Sequence, residues 1–234
     1  MRQNSYLSPA IEAPPEVRTA FLTSVAGWTV GGLLVSAFFS VISLLFVVPF
    51  ALKLGTFGIL GLIYGSMFIS QSVARKMVYG EAKVAGFLLG TGAQGLSFGF
   101  ILFATLFGLG TVSDGLLLLM QCMGMVVLTA TGMFVYVSMA RRDFSLLGAG
   151  LGMLFIPMLI LMAISFVWPI GGTAGIMLSG LFVAISAGSL LYKLNFVVHT
   201  MDTRQTMEGG YELSLSIIVL LWNLLALFSR LRRR

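Results

Sequence analysis

Apolar residues fill seven long stretches of the chain, and short groups of charged, proline or glycine residues separate each stretch from the next. The stretches are of about membrane length, since a helix needs about 20 apolar residues to cross a bilayer. The pattern therefore predicts an all-α polytopic membrane protein with seven transmembrane helices. The predicted spans are Ser24–Phe46, Phe57–Ser72, Val84–Leu109, Gly115–Ser138, Leu146–Val167, Thr173–His199 and Leu213–Phe228.

Two short polar segments flank the apolar part. Residues 1–20 are polar and contain Pro9, Pro14 and Pro15, and they lack the layout of a signal peptide. We interpret them as a cytoplasmic N-terminal tail. Residues 21–229 then form the seven-span membrane domain, and residues 230–234 form a basic C-terminal tail.

Composition agrees with the apolar pattern. Hydrophobic residues make up 58% of the chain and charged residues 9%, and the mean hydropathy is +1.02. These values exclude a soluble domain. The basic residues lie mostly between apolar stretches, so the net charge of +6 indicates topology determinants and not a nucleic-acid partner.

The side of the C-terminus is open at this stage. Seven full spans from a cytoplasmic N-terminus place the arginines of the C-terminal tail outside, and the positive-inside rule disfavours that. A re-entrant last segment would return them to the cytoplasm. We expect seven full spans because Leu213–Phe228 contains neither glycine nor proline.

The sequence offers little for catalysis. It has one histidine, His199, and one cysteine, Cys122, and the apolar part of each predicted span lacks Asp and Glu. A metalloprotease needs clustered His and acidic ligands, and an aspartyl intramembrane protease needs two buried Asp. We therefore expect no enzyme, no metal site and no cofactor.

A glycine-rich run, GTGAQGLSFG, lies inside the third span. A phosphate-binding loop would need a lysine after the glycines, and none follows. Small residues spaced along a transmembrane helix are typical of close helix packing, and this is the interpretation that we favour.

A charged turn after the fourth span carries a more specific signal. Arg142, Asp143, Phe144 and Ser145 are followed by a leucine and glycine step at Leu147 and Gly148. This junction is similar to the one between the fourth and fifth spans of the Bax inhibitor-1 family. Three further segments resemble that family's first, sixth and seventh spans: residues 17–37, 181–192 and 220–228.

The resemblance implies a seven-helix bundle with the last helix central. It also implies an acidic pair on the sixth and seventh spans that titrates and gates a leak of calcium ions or protons. The chain departs from this pattern. Lys193 stands where the sixth-span acid is expected, and Leu220 stands where the seventh-span acid is expected, three positions before Asn223.

A lysine in place of the acid would repel a divalent cation, which needs several oxygen ligands. Lys193 could reach the headgroups from its span, or it could pair with Glu212 at the start of the last span. Both interpretations stay open.

Two functions follow from the resemblance. Some bacterial members of the family associate with the membrane-bound ATP-dependent protease FtsH, so the first expectation is a regulatory partner of other membrane proteins in the bacterial inner membrane. The N-terminal tail would be the segment that the protease contacts. The alternative is a pH-sensitive leak channel for calcium ions or protons.

Overall fold

The computed structural model describes residue 10, residues 12–139, residue 148 and residues 172–232. Helices dominate this part of the chain. They are α1 (Pro15–Ile42), α2 (Val48–Lys53), α3 (Gly55–Phe68), α4 (Arg75–Val78), α5 (Lys83–Gly108), α6 (Val112–Met139), α7 (Gly172–His199) and α8 (Thr206–Arg232). Two π-helical segments, Ser43–Val47 and Ile69–Ala74, connect α1 to α2 and α3 to α4.

Within the described residues, six helical stretches are long and apolar enough to cross a membrane. They correspond to six of the seven predicted spans, so a polytopic all-α membrane protein is confirmed. The predicted fifth span, residues 146–167, lies outside the described residues. The count of seven therefore stays a prediction.

The first span is longer than predicted, because α1, the first π-helical segment and α2 continue one another from Pro15 to Lys53. Pro49 lies in the first turn of α2. A proline has no N–H for the carbonyl one turn earlier, and a π-helical turn changes the hydrogen-bond spacing at that point. The wider turn lets the helix continue through the proline.

Two compact units make up the chain: Met1–Leu102 with Leu194–Leu215 (unit 1), and Phe103–Lys193 with Ser216–Arg234 (unit 2). The core of unit 1 joins α4, α5 and the first turns of α8. Its buried members are Ala74, Val78, Phe87, Tyr211 and Leu215, and Trp28 and Met207 pack against them.

Unit 1 also contains a close interface of α5 with α1 and the start of the first π-helical segment, which we call the glycine–serine interface. The hydroxyls of Ser36, Ser40 and Ser43 donate to the carbonyls of Thr91, Gly95 and Leu96, at 2.7, 2.9 and 2.7 Å. A Cβ added at Gly95 would lie 2.9 Å from the Cα of Ser36. Helix packing was the predicted role of the glycine-rich run, and the geometry agrees with it.

In unit 2, the last turn of α8 contacts the first turns of α6 and α7. Arg230 donates to the carbonyl of Gly175 at 2.8 Å. Arg232 donates to the carbonyl of Asp114 at 3.2 Å and to Oε1 of Gln121 at 2.8 Å. The last helix continues unbroken to Arg232 and is long and apolar enough to cross a membrane. The side of the C-terminus stays a prediction.

Burial differs strongly among the spans. In the most apolar window of α5, 61% of the residues are buried, and in that of α8, 67%, against 17–22% in the other four. α5 and the last helix are therefore the most buried of the six apolar helical stretches in the described part of the chain. The central position predicted for the last helix stays a prediction. Large apolar side chains elsewhere point outward, among them Phe57, Leu128 and Met139, and such surfaces suit lipid.

Candidate functional site

Helix α8 begins earlier than the sequence indicated, and this brings two acids into it. The sequence placed Glu212 at the start of the last span, because the glycine pair Gly209 and Gly210 just before it is typical of a loop. The structure corrects this, because α8 starts at Thr206 and contains Glu208 in its first turn and Glu212 one turn later. The glycines serve close packing, since a Cβ at Gly210 would lie 2.9 Å from the backbone nitrogen of Thr29.

Glu208 pairs with the lysine that starts α5. Nζ of Lys83 lies 2.6 Å from Oε1 of Glu208. The carboxylate side chain is 3% exposed, whereas the lysine side chain is 46% exposed. The acid is therefore buried in unit 1 and the base that neutralises it reaches the surface.

Glu212 has a similar arrangement with α4. Nε of Arg75 lies 2.8 Å from Oε1 of Glu212, and the two side chains are 52% and 4% exposed. The Tyr79 hydroxyl donates to the same oxygen at 3.4 Å. Burial raises the pKa of the Tyr79 phenol, and the Glu212 carboxylate raises it further, so the hydroxyl keeps its proton at neutral pH.

Tyr211 lies between the two acids in sequence and is fully buried. Its hydroxyl donates to the carbonyl of Ser70 in the second π-helical segment. Its ring packs near Phe87, with 6.2 Å between the ring centroids. Tyr211 thus joins α8 to the π-helical segment and to α5 at the same end of unit 1.

We call Arg75, Tyr79, Lys83, Glu208 and Glu212 the charged end. Acids four residues apart lie on the same face of a helix, and the first turns of a helix favour negative charge. Each acid faces a cation from another helix, so the charged end fixes α4, α5 and α8 together. Among the described residues, no group of three or more His, Cys, Asp or Glu side chains could hold a metal ion.

The predicted gating residues lie in both units. Glu212 belongs to unit 1, whereas Lys193, Leu220 and Asn223 belong to unit 2. Leu220 and Asn223 are buried, at 1% and 9% exposure, and Lys193 is partly buried. Arg75 is an ion-pair partner of Glu212 that the sequence did not indicate, and the pairing of Lys193 with Glu212 stays a prediction.

The predicted family-motif turn, Arg142, Asp143, Phe144 and Ser145, lies outside the described residues. Gly148, which follows it, is described, and a Cβ at this glycine would collide with the ring of Tyr192. The glycine of the leucine and glycine step therefore permits a close contact within unit 2.

Arg75, Lys83 and Glu208 were not predicted as site residues from the sequence. A signal was present, because Glu208 and Glu212 have the spacing of one helical face. Three basic residues also flank the loop before the third span: Arg75, Lys76 and Lys83. The glycine pair concealed it by suggesting that the helix had not yet begun.

Comparison with known proteins identifies the family of this chain. A sequence model of the family described as "Inhibitor of apoptosis-promoting Bax1" matches residues 18–233, which is nearly the whole chain. No curated protein matches the sequence. The extent of the family match shows that the chain belongs to the Bax inhibitor-1 family of integral membrane proteins.

Proposed function

We propose that the chain is a regulatory partner of other membrane proteins in the bacterial inner membrane, and that a membrane protease of the FtsH type is such a partner. It restrains the protease without a catalytic step of its own. Membership of the family supports the first part of the proposal, and the pairing of the buried acids supports it more directly.

The observation that carries the proposal is the neutralisation of Glu208 and Glu212. A site for a hard divalent cation needs several oxygen ligands, usually carboxylates. Each of these buried carboxylates instead has a cationic side chain within 2.8 Å. Paired charges of this kind fix helices relative to one another, and a rigid end suits a docking surface better than a conduction path.

Ala10 of the N-terminal tail lies at the same end of unit 1. The backbone N–H of Ala10 donates to the carbonyl of Met201 at 2.9 Å, and Ala10 is buried. Met201 belongs to the connection between α7 and α8, just before Glu208. Arg75, Lys76 and Lys83 are exposed at this end. Under the predicted orientation, the tail and these cations face the cytoplasm, where a protease ATPase ring would lie.

Co-reconstitution with a bacterial FtsH protease in liposomes tests the proposal. We expect the full chain to slow degradation of a membrane substrate, and we expect a chain lacking residues 2–16 to insert normally and lose most of this effect. A soluble substrate of the same protease is the control, because its degradation should not depend on a membrane partner. Equal degradation of the membrane substrate with and without the full chain would reject the proposal.

The second candidate is a pH-sensitive leak of calcium ions or protons. It is favoured by buried polar atoms deep in α5, where Gln94 is fully buried. Liposomes loaded with calcium-sensitive and pH-sensitive dyes test it without a protease. A flux that follows pH, together with unchanged degradation in the first assay, would favour the leak over the regulatory role.

A further inference from the structure

We infer that unit 1 contains a site for bound water between α5 and the second π-helical segment, held by the side-chain amide of Gln94 and the hydroxyl of Ser70. Both residues are fully buried. Neither Oε1 nor Nε2 of Gln94 has a hydrogen-bond partner in the described part of the chain, and the same is true of Oγ of Ser70.

The depth of Gln94 makes this arrangement unusual. Along α5, Gln94 follows Lys83 by about 16 Å at 1.5 Å per residue. The hydrocarbon core of a bilayer is about 30 Å thick, so the amide lies near its middle. Buried amides almost always have hydrogen-bond partners, and lipid cannot supply them.

Contacts on either side of Gln94 place it beside Ser70. One turn before it, a Cβ at Gly90 would lie 2.6 Å from Cε2 of Tyr211, and the Tyr211 hydroxyl donates to the carbonyl of Ser70. One turn after it, Ser97 hydrogen-bonds to Ser66 of α3. Positions 90, 94 and 97 share one face of a helix, so Gln94 faces the stretch of α3 and π-helical turn between Ser66 and Ser70.

Water is the ligand that this set of atoms fits. An amide offers two donors and an acceptor, and a hydroxyl offers one donor and two acceptor positions. Buried waters typically make about three hydrogen bonds to polar groups of this kind. No charged side chain is needed to hold them. The glycine–serine interface on another face of α5 differs, because the hydroxyls of Ser36, Ser40 and Ser43 all donate to carbonyls.

Cysteine accessibility tests the inference, and the chain suits the method because Cys122 is its only cysteine. In a Cys122→Ala background, Gln94→Cys and Ser70→Cys are treated with a small cationic thiosulfonate in liposomes. The thiolate of the cysteine attacks the sulfenyl sulfur of the reagent, a mixed disulfide forms and sulfinate leaves. The thiolate forms only where water is present. The matched control is Ser40→Cys, since Ser40 is buried and its hydroxyl contacts the carbonyl of Gly95, next to Gln94.

We expect Gln94→Cys and Ser70→Cys to react about tenfold faster than Ser40→Cys, because the thiolate fraction of a cysteine is larger beside water than in apolar surroundings. Equal rates at the three positions would overturn the inference.

Radiolytic labelling tests for the bound water if the variants do not fold, because it uses the unaltered protein and forms hydroxyl radicals from bound water. Tyr211, at 0% exposure, should then be oxidised faster than Phe21, at 2% exposure, by more than the intrinsic difference in reactivity between a phenol and a phenyl ring. Labelling of Tyr211 no faster than that of Phe21, after correction for that difference, would show that no water is bound beside Gln94 and Ser70.

Discussion

The charged end and the glycine–serine interface hold helices of the same unit together by opposite means. At the charged end, buried carboxylates depend on cations from other helices, such as Arg75 for Glu212. At the interface, serine hydroxyls donate to helix carbonyls, and no charge is involved. The charged end is therefore destabilised by the loss of a charged side chain, whereas the glycine–serine interface is destabilised by the addition of a side-chain atom.

The largest effect is expected for Arg75→Met, because it leaves the Glu212 carboxylate buried without its arginine. Removing one partner of a fully buried pair costs about 3–5 kcal/mol, and we expect roughly 2–3 kcal/mol here, since the arginine is half exposed. Unfolding by SDS in mixed micelles measures the change. Lys76→Met is the matched control, because Lys76 is an exposed neighbouring cation, and it should change stability by less than about 0.5 kcal/mol.

A double-variant cycle measures the coupling between Arg75 and Glu212. Glu212→Gln removes the charge that Arg75 neutralises, so the double variant should cost less than the two single changes added together. Additive costs would mean that the pair contributes nothing to the stability of the charged end.

Gly95→Ala should have the second largest effect, and it probes the interface by adding one methyl group. The new Cβ would lie 2.9 Å from the Cα of Ser36, so α1 and α5 must separate. Overpacking of this kind costs roughly 1–3 kcal/mol. Gly27→Ala is the control in α1, because nothing lies within 4 Å of its Cβ, and it should be neutral or stabilise by up to about 1 kcal/mol. Equal effects of the two changes would contradict close packing at Gly95.

The same contrast explains what the sequence could and could not predict. The apolar runs placed the ends of α5, α6 and α7 within a few residues, because the length of a membrane span is set by the bilayer. The packing role of the glycine-rich run could also be predicted from the sequence, since small residues spaced along one helix let a neighbouring helix approach closely.

The charged end could not be predicted from the sequence in the same way. Gly209 and Gly210 look like a helix break in sequence, and only the position of α1 shows that they are needed for contact with Val25 and Thr29. Pairing Glu208 with Lys83 requires residues far apart in the chain to meet. Such pairings depend on tertiary structure, which local patterns do not encode.

Ser40→Ala should cost less than the glycine change. The Ser40 hydroxyl donates to the carbonyls of Ser36 and Gly95, and both carbonyls belong to helices. Interhelical hydrogen bonds in membranes contribute about 0.6 kcal/mol on average, and we expect a loss of about that size. Ser186→Ala is the control, because the Ser186 hydroxyl donates to Val183 of its own helix. A cost above about 2 kcal/mol would show that the interface depends on this hydroxyl more than on close packing.

Tyr79→Phe tests the charged end at its weakest contact, and its effect at neutral pH should be the smallest. The hydrogen bond to Glu212 is long, at 3.4 Å, so its loss should cost only a few tenths of a kcal/mol. The pH dependence is more informative. Because the folded state raises the pKa of this phenol above its ordinary value of 10.0, the folded protein keeps the proton at a pH where the unfolded chain releases it. The stability that this provides is complete below about pH 10 and decreases as the pH rises further. The parent should therefore lose stability above pH 10 more steeply than Tyr79→Phe, so that the difference between their unfolding midpoints shrinks. Unfolding midpoints measured in steps from pH 8 to pH 11 test this prediction. Parallel curves for the two proteins over that range would contradict it. They would show that neither burial nor the Glu212 carboxylate raises the pKa of Tyr79.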